Sequence, residues 1–342
     1  MEGDNSVLNK GPLVSVLVAT HNGEETIQLA LDLVCNSTYK NIEIIVLDDA
    51  STDSTFQICE KTAKADSRVL LLRNPTNLGI VETYNKLIGL AKGKYLLWND
   101  QDDSRDVTFI EKAIARMESE PEVVLCHSHT LVTVRSKPVH STKIDSIANQ
   151  RELIPRYWNL LRTFSDITIY GLIRRNAMLE TSLWQPIPGS ANVLLSELLL
   201  VGTFAQISEI LFTYQGKGLT NRPDVEQEAA RAMPNQVKTH GKPWLTIARA
   251  QSSGIRKTKY LTAWQKILLF IMLWSYILFT NSLKLTYRVF RRLIPRTTKV
   301  LFYRIFSRAV YCKRDIDYII DPSTRPDIYP PEWPLINAVK KK

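Results

Sequence analysis

Five short apolar, β-branched segments recur at nearly constant intervals in the first 130 residues and constrain the fold more than any other feature of the chain. They begin at Leu13, Ile42, Val69, Tyr95 and Val123, so successive starts lie 29, 27, 26 and 28 residues apart. An interval of that length accommodates one strand, one helix and two turns, which is the repeat of a βαβ unit. The pattern predicts an α/β fold with a doubly wound, mostly parallel sheet.

The segments between these strands have helical periodicity. Helices are predicted over residues 26–35, 54–65, 80–91 and 108–117. Beyond the fifth strand the pattern is mixed and predicts a strand at 167–173, a helix at 193–201 and a strand at 205–214. Residues 216–253 are polar with scattered Pro and Gly, which favours a linker with one short helix near 226–232.

Polar side chains follow each of the first four predicted strands. Because the carboxyl ends of parallel strands lie at one edge of a sheet, these side chains are predicted to share one rim. The fourth group is Asp100-Gln101-Asp102-Asp103, and carboxylates of this kind can hold a divalent cation beside a diphosphate. A solvated acidic turn is the simpler interpretation of such a run alone, but the acidic pair Asp48-Asp49 at the same rim favours a site.

Four segments together resemble the family-2 glycosyltransferases of the GT-A fold over about residues 11–222: VSVLVATHNGEETIQLALDLV, IIVLDDASTDST, NLGIVETYNKLIGLAKGKYLLWNDQDD and IYGLIRRNAMLET. The resemblance implies that a sugar is transferred, with inversion, from a nucleoside-diphosphate sugar to a hydroxyl acceptor on a glycan or a lipid-linked molecule. It also implies Mg²⁺ or Mn²⁺ as the cofactor, with Asp102 as the metal ligand.

The same resemblance assigns the remaining donor-site residues. Thr20, Asn22 and Glu24 are expected at the nucleotide pocket, Asp49 at the base and Asp100 near the ribose. A turn and a later amide are expected to form the floor of the pocket, at Asn77, Gly79 and Asn85.

The sequence departs from this family at the position expected to hold the general base. The segment GSANVLLSELLLVGTFAQISEILFTYQ resembles the acceptor side of a bacterial, membrane-associated subgroup, which has Asp where this chain has Ala191. Alanine cannot accept a proton. His127 and His129 are weaker candidates, for which an ordinary surface histidine is the simpler interpretation. The alternative function is therefore a weakened or inactive glycosyltransferase-like scaffold that binds a nucleotide or glycan at a membrane.

The C-terminal third is basic and apolar. Residues 256–314 contain 14 Lys or Arg and no Asp or Glu, and residues 267–283 carry no charge. A helix of those 17 residues is about 25 Å long, which is short for a hydrocarbon core of about 30 Å. The pattern favours amphipathic helices on an anionic membrane surface over residues 256–320. A helical lid on the catalytic domain is an alternative, and nucleic acid is disfavoured because the aromatic residues lie on the apolar stripe.

The predicted organisation is a catalytic domain at residues 1–222, a linker at 223–255, the basic helices at 256–320 and a Pro-rich tail at 321–342. Residues 1–10 have no apolar segment typical of a secretory signal, and the four cysteines have no paired spacing. The expected location is cytoplasmic, peripheral or monotopic on the inner membrane face.

Overall fold

The computed structural model describes residues 11–134, 137–142, 150–163, 165–216 and 243–293. Within these residues the strands are β1 Val14–Thr20, β2 Ile42–Asp48, β3 Val69–Arg73, β4 Tyr95–Trp98, β5 Ser104–Arg105, β6 Val123–Val134, β7 Lys137–Thr142, β8 Leu172–Arg174 and β9 Thr203–Gly216. The helices are α1 Ile27–Cys35, α2 Thr55–Ala65, α3 Ile80–Leu90, α4 Phe109–Ser119, α5 Leu153–Thr163, α6 Arg175–Leu179, α7 Ser190–Val201, α8 Pro243–Lys257 and α9 Ala263–Leu293. A 3-10 helix, Asp166–Tyr170, precedes β8.

The strands form one sheet in the order β3-β2-β1-β4-β8-β6-β9-β5, with β7 paired to β6. β1 to β4 are parallel, and β8 pairs antiparallel with both β4 and β6. Since β9 is parallel to β6, six strands run in one direction. The predicted doubly wound, mostly parallel sheet of the GT-A type is therefore confirmed, and the five regularly spaced segments are β1, β2, β3, β4 and β6.

The apolar residues of the sheet fill two cores, one on each face. Leu17 and Leu96 pack on the face covered by α3, α5 and α7, whereas Val16 and Leu97 pack on the face covered by α1 and α4. Alternate residues of a strand point to opposite faces, so a strand buried on both sides must be apolar throughout. All seven residues of β1 are buried, which explains why five of them are apolar; Ser15 Oγ donates a hydrogen bond of 2.6 Å to Glu43 Oε1, and Thr20 lies at the rim.

One predicted strand is only partly correct. The segment 167–173 contains most of the 3-10 helix, and only its last residues belong to β8. Ile167 and Ile169 have the i, i+2 spacing of a strand, but Thr168 between them is buried as well. At the end of the 3-10 helix, Gly171 passes so close to β6 that an added Cβ would lie 2.7 Å from the Cys126 carbonyl oxygen, so there is no room for a side chain.

The predicted linker at 223–255 is wrong for its last part, because residues 243–257 form α8, which packs against α7 and α9. Four of its five buried residues, among them Ala248, Ser252 and Gly254, are small or polar, and Ile255 is the only large apolar one, so the sequence shows no continuous apolar stripe there. A Cβ at Gly254 would lie 2.7 Å from Glu197 Cγ, which shows how closely α7 and α8 approach. The short helix near 226–232, the helices beyond 293 and the tail at 321–342 lie outside the described residues.

Candidate active site

The strand ends predicted to share a rim are in contact. Thr20, the last residue of β1, pairs with Asp48 at the end of β2. Its Oγ1 donates a hydrogen bond of 2.6 Å to Gln101 Oε1 in the acidic run after β4. Asp48 is fully buried and pairs with Arg73 Nε at 3.0 Å. The rim therefore joins the ends of four neighbouring parallel strands.

Asp49 is buried, and its carboxylate holds the start of α3. Asn74 Nδ2 and the backbone N–H of Leu78 donate to Oδ1 at 2.8 and 2.9 Å, and the N–H of Gly79 donates to Oδ2 at 2.8 Å. Gly79 has a φ of 85°, a backbone conformation that favours glycine. A carboxylate at a helix N-terminus is also stabilised by the helix dipole. Asp49 thus fixes the turn that carries Asn77 and Gly79.

Asn22 and Glu24 join the loop after β1 to the loop after β2. Asn22 has a φ of 48°, which Asn tolerates better than most residues, and its Oδ1 accepts a 2.8 Å bond from the N–H of Thr52. Glu24 Oε2 accepts a 3.0 Å bond from the N–H of Ser54, immediately before α2. Both side chains are exposed, so they lie at the open side of the rim.

Two tyrosines hold Asp100 from opposite sides of the site. Tyr84 on α3 donates to Oδ1, and Tyr170 at the end of the 3-10 helix donates to Oδ2 at 2.6 Å. Burial and the charge of Asp100 raise the pKa of both phenols well above the usual value, so both remain donors. The Tyr84 ring also packs on Trp98 and Trp184, with centroid distances of 4.3 and 5.0 Å.

Asn85 connects this side of the site to the segment before α7. Its Nδ2 donates to the Trp184 carbonyl oxygen at 2.9 Å, and its Oδ1 accepts from the Trp184 N–H at 3.1 Å. The amide thus pairs with both backbone groups of one residue. Asn85 positions the segment leading to α7.

The acidic run brings three carboxyl groups together, and they influence one another. Asp103 is only 4% exposed and accepts a 2.9 Å bond from the N–H of Gln215 at Oδ1. Burial and the charge of Asp100 raise the pKa of Asp103 to about 8. Burial also lowers the pKa of the neighbouring Arg105 to about 10.

The described residues contain no cluster of three His, Cys, Asp or Glu that could hold a metal alone. Mg²⁺ and Mn²⁺ do not need one here, because one or two carboxylates suffice when a substrate diphosphate supplies the other oxygens. Asp103 Oδ2 is buried without a hydrogen-bond partner among the described residues, so one oxygen of the run is left for a bound group. The half-buried Asp102 between Asp100 and Asp103 therefore fits a divalent cation bound together with a diphosphate.

The acceptor side lacks a carboxylate at the expected place. Ala191 lies in the first turn of α7, two residues after Gly189, whose φ is 71°. Glu197 cannot substitute, because it is buried and accepts bonds from the N–H and Oγ of Ser182 at 2.6 and 2.9 Å. His127 is buried on β6 rather than at the surface as predicted, and His129 is half-buried.

Sequence reasoning missed four residues that assemble the rim: His21, Tyr84, Gln101 and Tyr170. Tyr84 and Gln101 lie inside the motifs that carry the resemblance, but their partners are 16 and 81 residues away in the chain. Tyr170 lies in the segment predicted as a strand. Only the crowding of polar residues at the strand ends hinted at such contacts.

Residues 15–180 match the family model described as glycosyl transferase family 2. With the GT-A sheet and the acidic run at its rim, this region belongs to the family-2 glycosyltransferases.

Among its relatives, an uncharacterized glycosyltransferase of Haemophilus influenzae is 35% identical over 126 residues. The E. coli enzyme UDP-Glc:alpha-D-GlcNAc-diphosphoundecaprenol beta-1,3-glucosyltransferase WfaP is 39% identical over 108 residues. These matches cover 37% and 32% of this chain, and 39% and 42% of the two relatives.

The fold is also similar to that of S. aureus TarS 1–349 in complex with UDP-GlcNAc. The TM-score is 0.61 at 16% identity, over 92% of this chain and 85% of that one. At this identity the likeness shows the fold alone.

Within the described residues, one helical stretch, Ala263–Ser282, is long and apolar enough to cross a membrane by length and composition. The stretch has 20 residues. Its most apolar 18 residues have a mean hydropathy of 1.4, and 11% of them are buried.

Proposed function

We propose that this protein transfers a sugar from a nucleoside-diphosphate sugar to a hydroxyl acceptor. The observation that carries the proposal is the convergence of the loops after β1, β2 and β4 on the acidic run 100–103. Family membership of residues 15–180 supports it. TarS in complex with UDP-GlcNAc and the UDP-Glc in the name of the E. coli relative favour a uridine nucleotide as the first donor to test.

In this proposal the nucleotide lies along the rim. Thr20, Asn22 and Glu24 lie at the nucleotide pocket, Asp49 at the base and Asp100 near the ribose, and the floor is formed by Asn77, Gly79 and Asn85. Mg²⁺ or Mn²⁺ held by Asp102 would neutralise charge on the diphosphate leaving group. Tyr84 and Tyr170 keep Asp100 oriented towards the donor, because each phenol holds a different oxygen of its carboxylate.

The transfer itself is proposed as an in-line displacement with inversion. The acceptor hydroxyl forms a bond to the anomeric carbon while the bond from that carbon to the diphosphate oxygen breaks. The hydroxyl proton needs an acceptor, and Ala191 cannot provide one. Loss of a general base lowers a rate by about 10²- to 10⁴-fold, so slow turnover is expected. The scaffold that binds donor without turnover is the second candidate, and Ala191 is the observation in its favour.

The proposed acceptor is a glycan or a lipid-linked molecule at the inner face of a membrane, to which α9 would bind in the plane of the surface. One side of α9 packs on the domain: Leu269 and Leu273 are fully buried, and Trp274 Nε1 donates to Ser252 Oγ at 3.0 Å. The other side is apolar and exposed, at Trp264, Ile267, Leu268, Ile271, Leu278 and Phe279. A helix packed sideways on a domain is not surrounded by lipid, which favours a monotopic arrangement over a span.

Vesicle flotation tests this surface. Replacing Trp264, Ile271 and Phe279 together by Gln removes exposed apolar area without touching the side that packs on the domain. The variant is expected to lose binding to vesicles with anionic lipid, whereas Leu29→Gln, at an exposed apolar residue of α1, should bind as the parent protein does. Equal flotation of all three proteins would contradict the membrane assignment.

Turnover is tested by incubating the protein with Mn²⁺ and UDP-, GDP- or TDP-sugars, with and without lipid-linked acceptors. Release of nucleoside diphosphate, lost in Asp102→Asn, supports the transferase. Binding of a nucleotide without release, with every acceptor supplied, supports the scaffold. If no nucleotide binds, both candidates are wrong.

A further inference from the structure

The imidazole of His21 lies where three loops of the rim meet. Its Nδ1 is 2.8 Å from the backbone carbonyl oxygen of Asp49, in the loop after β2. Its Nε2 is 3.3 Å from Asn22 Nδ2 and 3.2 Å from Asn77 Nδ2, in the turn before α3. One half-buried ring therefore contacts three of the residues assigned to the donor site.

The partners fix the position of the ring proton. A carbonyl oxygen only accepts hydrogen bonds, so Nδ1 must donate to Asp49. The amide of Asn22 is oriented by its Oδ1, which accepts from the N–H of Thr52 at 2.8 Å. The amide of Asn77 is oriented in the same way, because its Oδ1 accepts from the N–H of Gly79 at 3.0 Å. Both amides therefore present N–H groups to Nε2, which must accept.

The main chain of His21 is hydrogen-bonded to the side chain of Gln101 in the acidic run. Its N–H donates to Gln101 Oε1 at 3.0 Å, and its carbonyl oxygen accepts from Gln101 Nε2 at 3.3 Å. The contact is close, because a Cβ at Gly23 would lie 2.4 Å from Gln101 Oε1. Through its ring and its backbone, His21 thus links the ends of β1, β2 and β4 and the turn before α3.

We propose that His21 is a positioning residue of the donor site, which acts as a neutral imidazole with its proton on Nδ1. It acts through Asn22, Asp49, Asn77 and Gln101, and it places the nucleotide pocket and the acidic run at a fixed separation. This role rests on the proposed function, since it assigns donor binding to the rim.

Variants of His21 separate the hydrogen bonds from the packing of the ring. His21→Phe keeps a ring but none of the three hydrogen bonds. His21→Gln places an amide oxygen near the position of Nε2, and His21→Asn places an amide N–H near the position of Nδ1. Phe, which loses all three hydrogen-bond contacts of the ring, is expected to weaken UDP or GDP binding with Mn²⁺ about tenfold, and each amide, which keeps part of them, about threefold. KM for the donor should rise while kcat changes little.

The control is Tyr39→Phe, which removes a hydrogen bond to Pro12 in the loop before β1 and should bind nucleotide as the wild type does.

Nuclear magnetic resonance of protein labelled with ¹⁵N-histidine gives an independent readout, since it distinguishes the two neutral tautomers. A proton on Nδ1 of His21 is expected, and a proton on Nε2 would overturn the inference. So would nucleotide binding by His21→Phe equal to that of the wild type. If the wild type binds no nucleotide, the proposed function fails. The position of the ring proton still tests the hydrogen bonds by which His21 links the loops.

Discussion

The donor side and the acceptor side of the site differ in how completely their functional groups are present. On the donor side Asp49, Asp100 and Asp103 each accept hydrogen bonds from named partners, and the loops are joined to one another. On the acceptor side, the first turn of α7 carries Ala191 where the resemblance places a carboxylate. The comparison separates two properties of the proposed site: the residues assigned to donor binding are held in place by hydrogen bonds, whereas the position assigned to the general base carries only a methyl group.

The two sides are also built differently. The donor side consists of loops that follow neighbouring parallel strands, so the sheet alone brings them together. The acceptor side depends on helix packing, in which α7 is held by α5 and α8, and α8 by α9. Donor binding is therefore expected to tolerate changes in the C-terminal helices better than transfer does.

The largest effect is expected from restoring a carboxylate on the acceptor side. In Ala191→Asp the new side chain lies at the N-terminus of α7, where the helix dipole stabilises a negative charge. Transfer is expected to accelerate by about 10²- to 10⁴-fold, with donor affinity unchanged. Ala191→Asn is the matched control, because it has nearly the same volume but accepts no proton. Equal rates for the two variants would show that the missing base does not limit transfer.

A smaller effect is expected from the tyrosines that hold Asp100. Tyr84→Phe and Tyr170→Phe each remove a hydrogen bond to a charged group, worth about 1.5 to 3 kcal/mol. Titration should show nucleotide binding weakened about 10- to 100-fold in each variant. Tyr39→Phe provides the comparison with a neutral hydrogen bond remote from the rim. Unchanged affinity in both site variants would contradict the role given to Asp100.

The smallest effect is expected outside both regions, at the Asp66–Arg68 ion pair, with an N–O distance of 2.6 Å. Hydrogen bonds from Arg68 lower the pKa of Asp66 to about 2, against an ordinary value of 3.8. Because the folded state lowers this pKa, the pair stabilises the fold above about pH 4, and the contribution is lost as the pH falls towards 2.

Asp66→Asn should lower the free energy of unfolding by about 1 kcal/mol at pH 7, since solvent screens part of the interaction. Urea unfolding at pH 7 and at pH 3 should show the difference shrinking in acid, with nucleotide binding unaffected. Glu60→Gln, at an exposed pair with Lys64, should change stability less. A loss at Asp66 that does not depend on pH would contradict the ion-pair explanation.

The sequence allowed the first half of the fold to be predicted because its signals are local and periodic. Buried parallel strands are mostly apolar, and α1 to α4 follow at regular intervals, so β1 to β4 could be placed within a few residues. The rim followed from the same rule, since parallel strands bring their carboxyl ends together. The assignment of Thr20, Asn22, Glu24, Asp49, Asn77, Gly79, Asn85, Asp100 and Asp102 to donor binding stays a prediction.

The rest of the fold and of the site depends on contacts that no local sequence pattern predicts. α8 buries mostly small and polar residues, with Gly254 in close contact with Glu197 on α7, and its sequence therefore resembled a linker. The 3-10 helix that ends at Tyr170 has the apolar spacing of a strand. His21 and Gln101 act through partners 28 and 80 residues away, and only the folded chain reveals such pairs.

The central claim is that the acidic run binds a nucleoside diphosphate together with a divalent cation. Its most direct test is calorimetric titration of UDP and GDP into the wild type, Asp102→Asn and Asp32→Asn, with Mn²⁺ and with a chelator. Asp32 is an exposed carboxylate on α1 and serves as the control. Binding to the wild type and to Asp32→Asn that depends on Mn²⁺, and is at least about tenfold weaker in Asp102→Asn, is the expected result. Equal affinity in Asp102→Asn and the wild type would contradict the claim.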